Sequence, residues 1–230
     1  MKPFCGVPLV GWSIMQGVAA TSVDEVWVST DGDEIAEYAK SLGAHVMIRG
    51  YQDTDETSGS VPVQECVDRL FASGHLVDDD LVICRLCTTP HLLPHDVDNF
   101  MRTFQKRRLD YGFEGMSAGA ETRTHICSRV LVPGLSIGIP EATCHNDYSI
   151  AHHLAFIGVN LAKHFRAKKP YPNDGQGPPP KAFSPLNYYS VNEWQMQDVD
   201  TPEEWEFAEL VAEHYILKGR TPEEVYCGNN

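Results

Sequence analysis

The chain has 230 residues, and its 32 acidic side chains outnumber its 18 lysines and arginines, which gives a net charge of −14. This negative excess excludes a mode of DNA or RNA binding in which the whole surface attracts phosphates. The composition, 42% hydrophobic and 22% charged, is typical of a chain that buries a core. No apolar stretch approaches the ~20 residues that a membrane helix needs. We therefore expect neither a nucleic acid nor a membrane as partner.

The N-terminus and the cysteines favour a cytoplasmic protein. Residues 1–6 contain no apolar run of the kind that a secretory signal requires. The seven cysteines are irregularly spaced, which is typical of reduced cytoplasmic thiols. Cys84 and Cys87 have C-x-x-C spacing, but no second pair accompanies them at zinc-site spacing. We interpret them as ordinary thiols rather than as a redox or metal site.

Helix-like and strand-like segments alternate along the first hundred residues. Their apolar spacing predicts, in chain order, a helix over 8–20, a strand over 25–30, a helix over 33–42, a strand over 44–48, a helix over 61–71, a strand over 80–84 and a helix over 95–104. This alternation predicts an α/β fold with a mostly parallel sheet covered on both faces. Ligands bind such sheets outside the carboxyl ends of the strands. We therefore expect the chemistry in the loops at 29–33, 49–60 and 85–91.

The alternation fades between about 105 and 190. Residues 126–139 are predicted as strands, residues 150–165 as helix or strand, and residues 173–180 as a loop. We interpret this region as a substrate and dimerisation lobe inserted in a single domain that spans 1–230. Its apolar runs, at 126–139 and 154–161, favour a homodimer. The alternative is that these runs fold back on their own sheet.

A final helix is predicted to begin after Asp200. Thr201 is the expected N-cap, Pro202 suits the first helical position, and the acids that follow suit the positive end of the helix dipole. Asp198 and Asp200 are one residue apart, so an extended segment would point both carboxylates the same way. They are either solvated acids that precede the helix or ligands of a divalent metal.

Three segments of the chain carry a resemblance to a known family. They are K-P-F-C-G-V-P-L-V at 2–10, V-S-T-D-G-D-E-I-A at 28–36 and Q-D-V-D-T-P-E-E-W at 197–205. Together they resemble the cytidylyltransferases that activate nonulosonic acids, namely the CMP-sialic, CMP-pseudaminic and CMP-legionaminic acid synthetases. The resemblance implies a Rossmann-like, three-layer fold of the nucleotide-diphospho-sugar transferase type. It also implies dimers in which the lobe of one subunit reaches over the cleft of the other.

The resemblance assigns roles to single residues. Asp198 and Asp200 match the family's Mg²⁺ ligands, and Arg49 matches an arginine that contacts the nucleotide. In the family a hydroxyl of the loop after this arginine contacts the nucleotide, and the match falls on Ser60, with Ser58 in the same S-G-S-V-P-V segment at 58–63. The alternative is a surface arginine followed by ordinary turn serines.

Two further positions match the family at the ends of predicted strands. Asp31 occupies the aspartate position of the S-T-D segment, and it is either a nucleotide-site residue or an N-cap. Thr88 lies in T-T-P, where the family has T-S-P or T-A-P, although Leu86 replaces the family's glutamine or tyrosine. His152 and His153 fall near the expected substrate lobe, as structural histidines or as ligands of a sugar carboxylate.

The resemblance implies a reaction in which CMP is transferred from CTP to a nonulosonic acid and pyrophosphate is released, with Mg²⁺ neutralising the phosphate charge. The family's basic, glycine-rich phosphate loop would precede Lys2, so we expect weak CTP binding and slow or no turnover from this chain by itself. One alternative is a catalytically impaired homologue that acts as a binding or partner subunit. Another is a nucleotidyltransferase for a different sugar or small acid.

Overall fold

The computed structural model describes residues 1–50, 60–122, 130–132, 135–137, 149–151, 157–166, 188–195 and 197–227. Within them the helices are α1 (Leu9–Ala19), α2 (Asp33–Ser41), α3 (Ser60–Ala72), α4 (Pro94–Tyr111), α5 (Ala162–Arg166), α6 (Pro202–Ala212) and α7 (Pro222–Tyr226). The strands are β1 (Pro3–Phe4), β2 (Val7–Pro8), β3 (Trp27–Thr30), β4 (His45–Ile48), β5 (Leu81–Arg85), β6 (Gly115–Thr122), β7 (Val130–Val132), β8 (Leu135–Ile137), β9 (Ser149–Ala151), β10 (Ile157–Leu161) and β11 (Tyr188–Val191). A 3-10 turn occupies Glu193–Gln195, and a π-helical turn, Glu213–Leu217, continues α6.

The strands of the α/β core form two groups. One sheet has the order β11-β6-β10-β5, with β9 also paired to β6, and β3 pairs with β4 separately. The pairs β3–β4 and β6–β11 are parallel, whereas β10 runs antiparallel to both β5 and β6. The antiparallel pairs of this core all involve β9 or β10, which come from the region beyond residue 105 where the sequence alternation fades.

The predicted elements of the first hundred residues are confirmed to within a few residues, with one longer helix. Helix α4 was expected to stop at Phe104 but continues to Tyr111. Its apolar face ends near Phe104, but nothing in the next turns breaks the helix until Gly112, which adopts a φ of 70°. The helix therefore ends at Gly112, which breaks it, rather than near Phe104, where its apolar face ends.

The β1–β2 hairpin was not predicted. Its two turn residues, Cys5 and Gly6, have φ values of 45° and 93°, which correspond to a type I′ turn. Asparagine or glycine usually occupies the first of these positions, and a cysteine there does not give the usual sequence signal for the turn.

A buried cluster joins this hairpin to the C-terminal helices. Phe4 and Trp12 are fully buried in it together with Val199, Ala208 and Ile216. The Trp12 Nε1 donates to the Phe4 carbonyl at 3.0 Å. The two ends of the chain therefore share one core.

Two more contacts connect the first residues to α6. Lys2 Nζ lies 3.7 Å from the centre of the Trp205 ring, and the Cys5 N–H donates to Glu209 Oε1 at 2.8 Å.

A second cluster packs α4 on β5, β6 and β10 through residues that include Phe100, Phe104 and Val159.

Within the described ranges, no helix combines the length and the apolar character needed to cross a membrane. Strands β7 and β8 pair with each other in the region of the proposed lobe. His152 and His153 lie outside the described residues, as do residues 167–187. The division into one domain over 1–230 and a lobe over about 105–190 remains a prediction.

Candidate functional site

Arg49 and Asp31 follow two neighbouring strands and form what we call the strand-end pair. Strands β3 and β4 are parallel, so their carboxyl ends, Thr30 and Ile48, lie side by side. The Arg49 N–H donates to the Thr30 carbonyl at 2.9 Å, and Arg49 Nη2 donates to Asp31 Oδ1 at 3.3 Å. The Arg49 side chain is 9% exposed and the Asp31 side chain 31% exposed. A guanidinium is thus held at the sheet edge where α/β proteins bind ligands.

Asp31 does not cap the helix that follows it. The N-cap position of α2 is Gly32, and no side chain caps this helix. The Gly32 N–H donates to Thr30 Oγ1 at 3.1 Å. Asp31 stands one residue too early to reach the first helical amides, so the N-cap alternative is wrong. Its carboxylate pairs with Arg49 instead.

The loop 86–91, which follows β5, carries Thr88 and contacts the segment of the two candidate metal ligands. The Thr88 carbonyl accepts the Val199 N–H at 3.0 Å. Val199 is buried in the core, whereas Asp198 is half-buried and Asp200 is exposed. This alternation turns both carboxylates away from the core. We call Asp198 and Asp200 the acid pair.

Helix α6 is capped without either carboxylate of the acid pair. Thr201 Oγ1 accepts the Glu204 N–H at 3.2 Å, and Glu204 Oε2 accepts the Thr201 N–H at 2.8 Å, which confirms Thr201 as the N-cap. The Asp200 N–H also donates to Glu204 Oε2, at 3.0 Å, and Asp198 Oδ1 accepts the N–H of the next residue at 3.1 Å. Among the described residues neither carboxylate pairs with a lysine or arginine. Both are available to a ligand.

The donor set of the acid pair suits one kind of metal. Mg²⁺ typically uses one or two carboxylates and completes its octahedron with phosphate oxygens and water. In the described part of the chain, no three His, Cys, Asp or Glu side chains are grouped so that they could hold a metal. By donor type, two carboxylates with open positions for water and phosphate oxygens fit Mg²⁺.

The two cysteines at the end of β5 have protonated thiols. Burial raises the pKa of Cys84 to about 12. Burial also raises the pKa of Cys87. The nearby Arg85 charge acts to lower this pKa, and the Asp198 charge acts to raise it. Thiols that remain protonated at neutral pH are poor nucleophiles and metal ligands, which supports the interpretation of ordinary thiols. Arg85 and Asp198 both lie within electrostatic reach of Cys87.

The structure thus brings Arg49 together with Asp31, and Thr88 together with the acid pair. It does not place the predicted hydroxyl groups of the loop after β4. Ser58 lies outside the described residues, and Ser60 is the first residue of α3. Their roles remain predictions.

Sequence reasoning missed a set of polar side chains in and around the loop 86–91. They are Gln16, Arg85, His91 and Gln195. One signal was available, because an arginine is unusual at the end of an apolar run such as L-V-I-C-R. The other three side chains are buried by tertiary contacts that no local sequence pattern predicts.

His91 is neutral in this environment. Burial lowers the pKa of His91 to about 4, although its hydrogen bond to Ala208 acts in the opposite direction. His91 Nε2 lies 2.9 Å from the Ala208 carbonyl, so the neutral ring carries its proton on Nε2 and donates it there. The ring ties the loop to α6.

A shallow groove beside α6 lies apart from these residues. It is lined by Cys5, Glu206, Glu209, Leu210, Glu213, Leu217, Arg220 and Thr221. None of the predicted site residues lines it.

Comparison with known proteins decides the family. A family model described as "Cytidylyltransferase" matches residues 1–133. The chain belongs to the cytidylyltransferase family. It is 34% identical over 112 residues to the N-acylneuraminate cytidylyltransferase B of Danio rerio, a match that covers 48% of this chain and 25% of that protein. The match to the 8-amino-3,8-dideoxy-manno-octulosonate cytidylyltransferase of Shewanella amazonensis is 24% identical over 106 residues and covers 46% and 40% of the two chains.

Solved structures support the fold of this cytidylyltransferase family member. A CMP:2-keto-3-deoxy-manno-octonic acid synthetase in complex with CTP superposes with a TM-score of 0.64 at 16% identity, covering 94% of this chain and 91% of that one. A 4-diphosphocytidyl-2C-methyl-D-erythritol synthase superposes with a TM-score of 0.63 at 11% identity, covering 91% and 93%. The α/β fold predicted from the sequence is confirmed. The match to the Danio rerio relative spans about a quarter of that protein's length.

Proposed function

We propose that this chain transfers the CMP unit of CTP to a nonulosonic acid of the sialic type and releases pyrophosphate. Support comes from the family and from the activity in the name of the Danio rerio relative. Within the chain, one observation carries the proposal: Thr201 and Glu204 cap α6, which leaves Asp198 and Asp200 available beside Thr88.

The proposed reaction needs positioning and charge neutralisation. A hydroxyl oxygen of the sugar acid attacks the α-phosphorus of CTP and forms a new P–O bond. The bond from that phosphorus to the bridging oxygen breaks, pyrophosphate leaves with the electron pair, and the hydroxyl proton passes to solvent. No covalent protein intermediate is involved, so the chain contributes orientation and favourable charge.

We assign the side chains accordingly. Arg49 donates to phosphate oxygens of the nucleotide, and Asp31 orients its guanidinium through their ion pair. The hydroxyl groups of Ser58, Ser60 and Thr88 contact the nucleotide. Asp198 and Asp200 hold Mg²⁺, which when bound neutralises phosphate charge and favours departure of pyrophosphate.

The test is pyrophosphate release from CTP and Mg²⁺ with a panel of nonulosonic acids and a 3-deoxy-octulosonic acid. We expect release that requires CTP, rather than ATP or UTP, and a nonulosonic acid. Asp198→Asn should abolish it, whereas Asp24→Asn, which removes an exposed acid before β3, should not.

Two outcomes would contradict the proposal. CTP binding without release for any acceptor would favour the alternative of a non-catalytic partner subunit, which none of the reported comparisons favours. Release with another acceptor alone would favour a nucleotidyltransferase for that sugar.

We also propose a cytoplasmic homodimer that pairs through the lobe. Five of the six residues in β7 and β8 are apolar, and a two-stranded ribbon is marginally stable by itself. A second copy could bury that ribbon. Free cysteines, including Cys5 and Cys66, support a reducing compartment. Light scattering at micromolar concentration should give twice the mass of 25.6 kDa, and a monomer mass would exclude the dimer.

A further inference from the structure

Four consecutive carbonyl groups of the loop 86–91 accept hydrogen bonds from four different parts of the chain. The donors are the Val199 N–H to Thr88 at 3.0 Å, Arg85 Nη2 to Thr89 at 2.9 Å, Gln16 Nε2 to Pro90, and Gln195 Nε2 to His91 at 3.4 Å. They belong to the segment of the acid pair, to β5, to α1 and to the 3-10 turn. Connecting loops usually run over the surface and turn their carbonyls to water. This loop is instead fixed residue by residue.

Arg85 is the charged donor among the four. Its Nε and Nη1 atoms are buried and have no hydrogen-bond partner among the described residues. Burial lowers the pKa of Arg85 to about 10, so the guanidinium is still protonated at neutral pH. Among the described residues no carboxylate forms an ion pair with Arg85, and a buried charge left in this way is unfavourable for folding. Packing alone would favour an apolar residue at this position, which indicates another role for the charge.

The contacts lead from Arg85 to the acid pair in two steps. Arg85 Nη2 holds the carbonyl of Thr89, a residue that is itself fully buried and donates through Oγ1 to the Leu86 carbonyl at 3.1 Å. The preceding carbonyl, that of Thr88, accepts the Val199 N–H. Because the two carbonyls belong to neighbouring peptide groups, a displacement of Thr89 moves the Thr88 carbonyl, which shares the Val199 N–H with Asp198 Oδ1.

We propose that Arg85 is a positioning residue for the acid pair. It fixes Thr89, and so fixes the Thr88 carbonyl that holds Val199 between Asp198 and Asp200. The direction and spacing of both carboxylates then depend on Arg85, which touches neither of them. What the acid pair binds rests on the proposed function, whereas the positioning itself does not.

The test measures amide hydrogen exchange by NMR on the full chain without nucleotide or metal. In Arg85→Met, exchange of the Val199 amide should be roughly ten- to hundredfold faster, because a hydrogen bond from a charged donor no longer fixes the loop. The Ala36 amide, which donates to Gly32 in α2, should not change. The matched control is Arg220→Met, which also removes an arginine that donates to backbone carbonyls, here Leu217 and Ile216. It should leave Val199 unchanged.

A second measurement titrates Mg²⁺ by calorimetry in the presence of CTP. Arg85→Met should weaken Mg²⁺ binding about tenfold and lower kcat more than it raises the KM for CTP. Faster Val199 exchange, together with no Mg²⁺ binding by the wild type, would contradict the proposed function and leave the positioning role intact.

Unchanged Val199 exchange in Arg85→Met overturns the proposal, whatever happens to activity. A raised KM for CTP with unchanged exchange would make Arg85 a direct nucleotide contact, which also overturns it. If Arg85→Met does not fold, Arg85→Gln takes its place, since it removes the charge and shortens the side chain. The same acceleration at Val199 is expected, and its absence overturns the proposal equally.

Discussion

The acid pair and the strand-end pair are held in different ways. The acid pair flanks a buried valine whose N–H is bonded to a loop that four separate elements fix. The strand-end pair follows two strands that pair with each other, and its side chains are joined by one ion pair of 3.3 Å in which Asp31 is partly exposed. Salt screens exposed ion pairs, whereas it hardly affects buried backbone hydrogen bonds.

This difference separates two kinds of site. The acid pair has its direction fixed before any ligand arrives, so little ordering is needed on binding. The Arg49 guanidinium can exchange its contact with Asp31 for a phosphate oxygen, because the contact is long, at 3.3 Å, and the Asp31 side chain is partly exposed. We therefore expect substitutions in the two groups to have effects on catalysis and CTP binding that differ in magnitude and in salt dependence.

The largest effect is expected for Asp200→Asn. It removes a proposed metal ligand, and kcat/KM for CTP should fall by at least about a hundredfold. The melting temperature should not change, because the Asp200 N–H keeps its bond to Glu204. Asp31→Asn is the comparison, and it should cost less than about tenfold since Asp31 acts through Arg49. Steady-state kinetics decide, and equal losses in both variants would remove the distinction between the two groups.

His91→Gln should make the free energy of unfolding less sensitive to low pH. Burial lowers the pKa of His91 from 6.5 to about 4. As the pH falls through this range, the unfolded chain binds a proton that the folded chain does not, so the free energy of unfolding decreases, by up to about 3 kcal/mol. Glutamine retains a donor for the Ala208 carbonyl but does not titrate.

Denaturant titrations at pH 7 and pH 4.5 measure this difference. The wild type should lose about 2 kcal/mol more between these pH values than His91→Gln does. His95→Gln is the control, because this neighbouring histidine has a 67% exposed side chain. Parallel pH dependence in the wild type and His91→Gln would contradict the burial argument.

Arg49→Met should raise the KM for CTP about tenfold, because one charge-assisted contact to a phosphate is lost. Raising the salt concentration should reduce the gap between the variant and the wild type, since the contact is partly exposed. Arg102→Met, which removes an exposed arginine of α4, should change neither KM nor its salt dependence. A salt-independent defect would contradict the interpretation that this contact is open to solvent ions.

The smallest effect is expected for Cys5→Asn in the hairpin beneath the acid pair. Cys5 has a φ of 45°, which asparagine adopts more readily, and its N–H bond to Glu209 does not depend on the side chain. The substitution removes only the weak 3.7 Å bond from the Cys5 Sγ to the Glu209 carbonyl. The free energy of unfolding should rise by roughly 0.5–1 kcal/mol, measured by denaturant titration. Cys227→Asn is a control at an exposed cysteine with an ordinary φ of −110°. Equal effects of the two substitutions would contradict the backbone argument.

Local signals explain which parts of the fold could be predicted. The segment T-P-E-E predicted the start of α6 because its cap is made within four residues. The same four letters recur at 221–224 and cap α7 in the same way, so that helix was equally predictable but was not predicted. The β1–β2 hairpin was harder, because Cys5 occupies a turn position where asparagine or glycine is the usual signal.

The residues of the candidate site also divide into those that local sequence signals predicted and those that they did not. Strand alternation placed Asp31, Arg49 and Thr88 at the carboxyl ends of strands, and the structure confirms those positions. Of the polar side chains in and around the loop 86–91, Arg85 had a sequence signal, and the others could not be predicted. Gln16 and Gln195 are far apart in sequence, and both are buried because α1 and the 3-10 turn pack around the same loop. Such burial is a tertiary property that one chain segment does not encode.

The core shared by the two chain ends constrains the order in which the protein can fold. Phe4 and Trp12 pack against Val199, Ala208 and Ile216, so this core is complete only after segments far apart in sequence have met. Contacts between residues so distant in sequence form slowly, because a long loop must close before they stabilise anything. Until then the hairpin and α1 expose apolar surface. Closure of this long loop, rather than formation of α1, is therefore the event that allows this core to form.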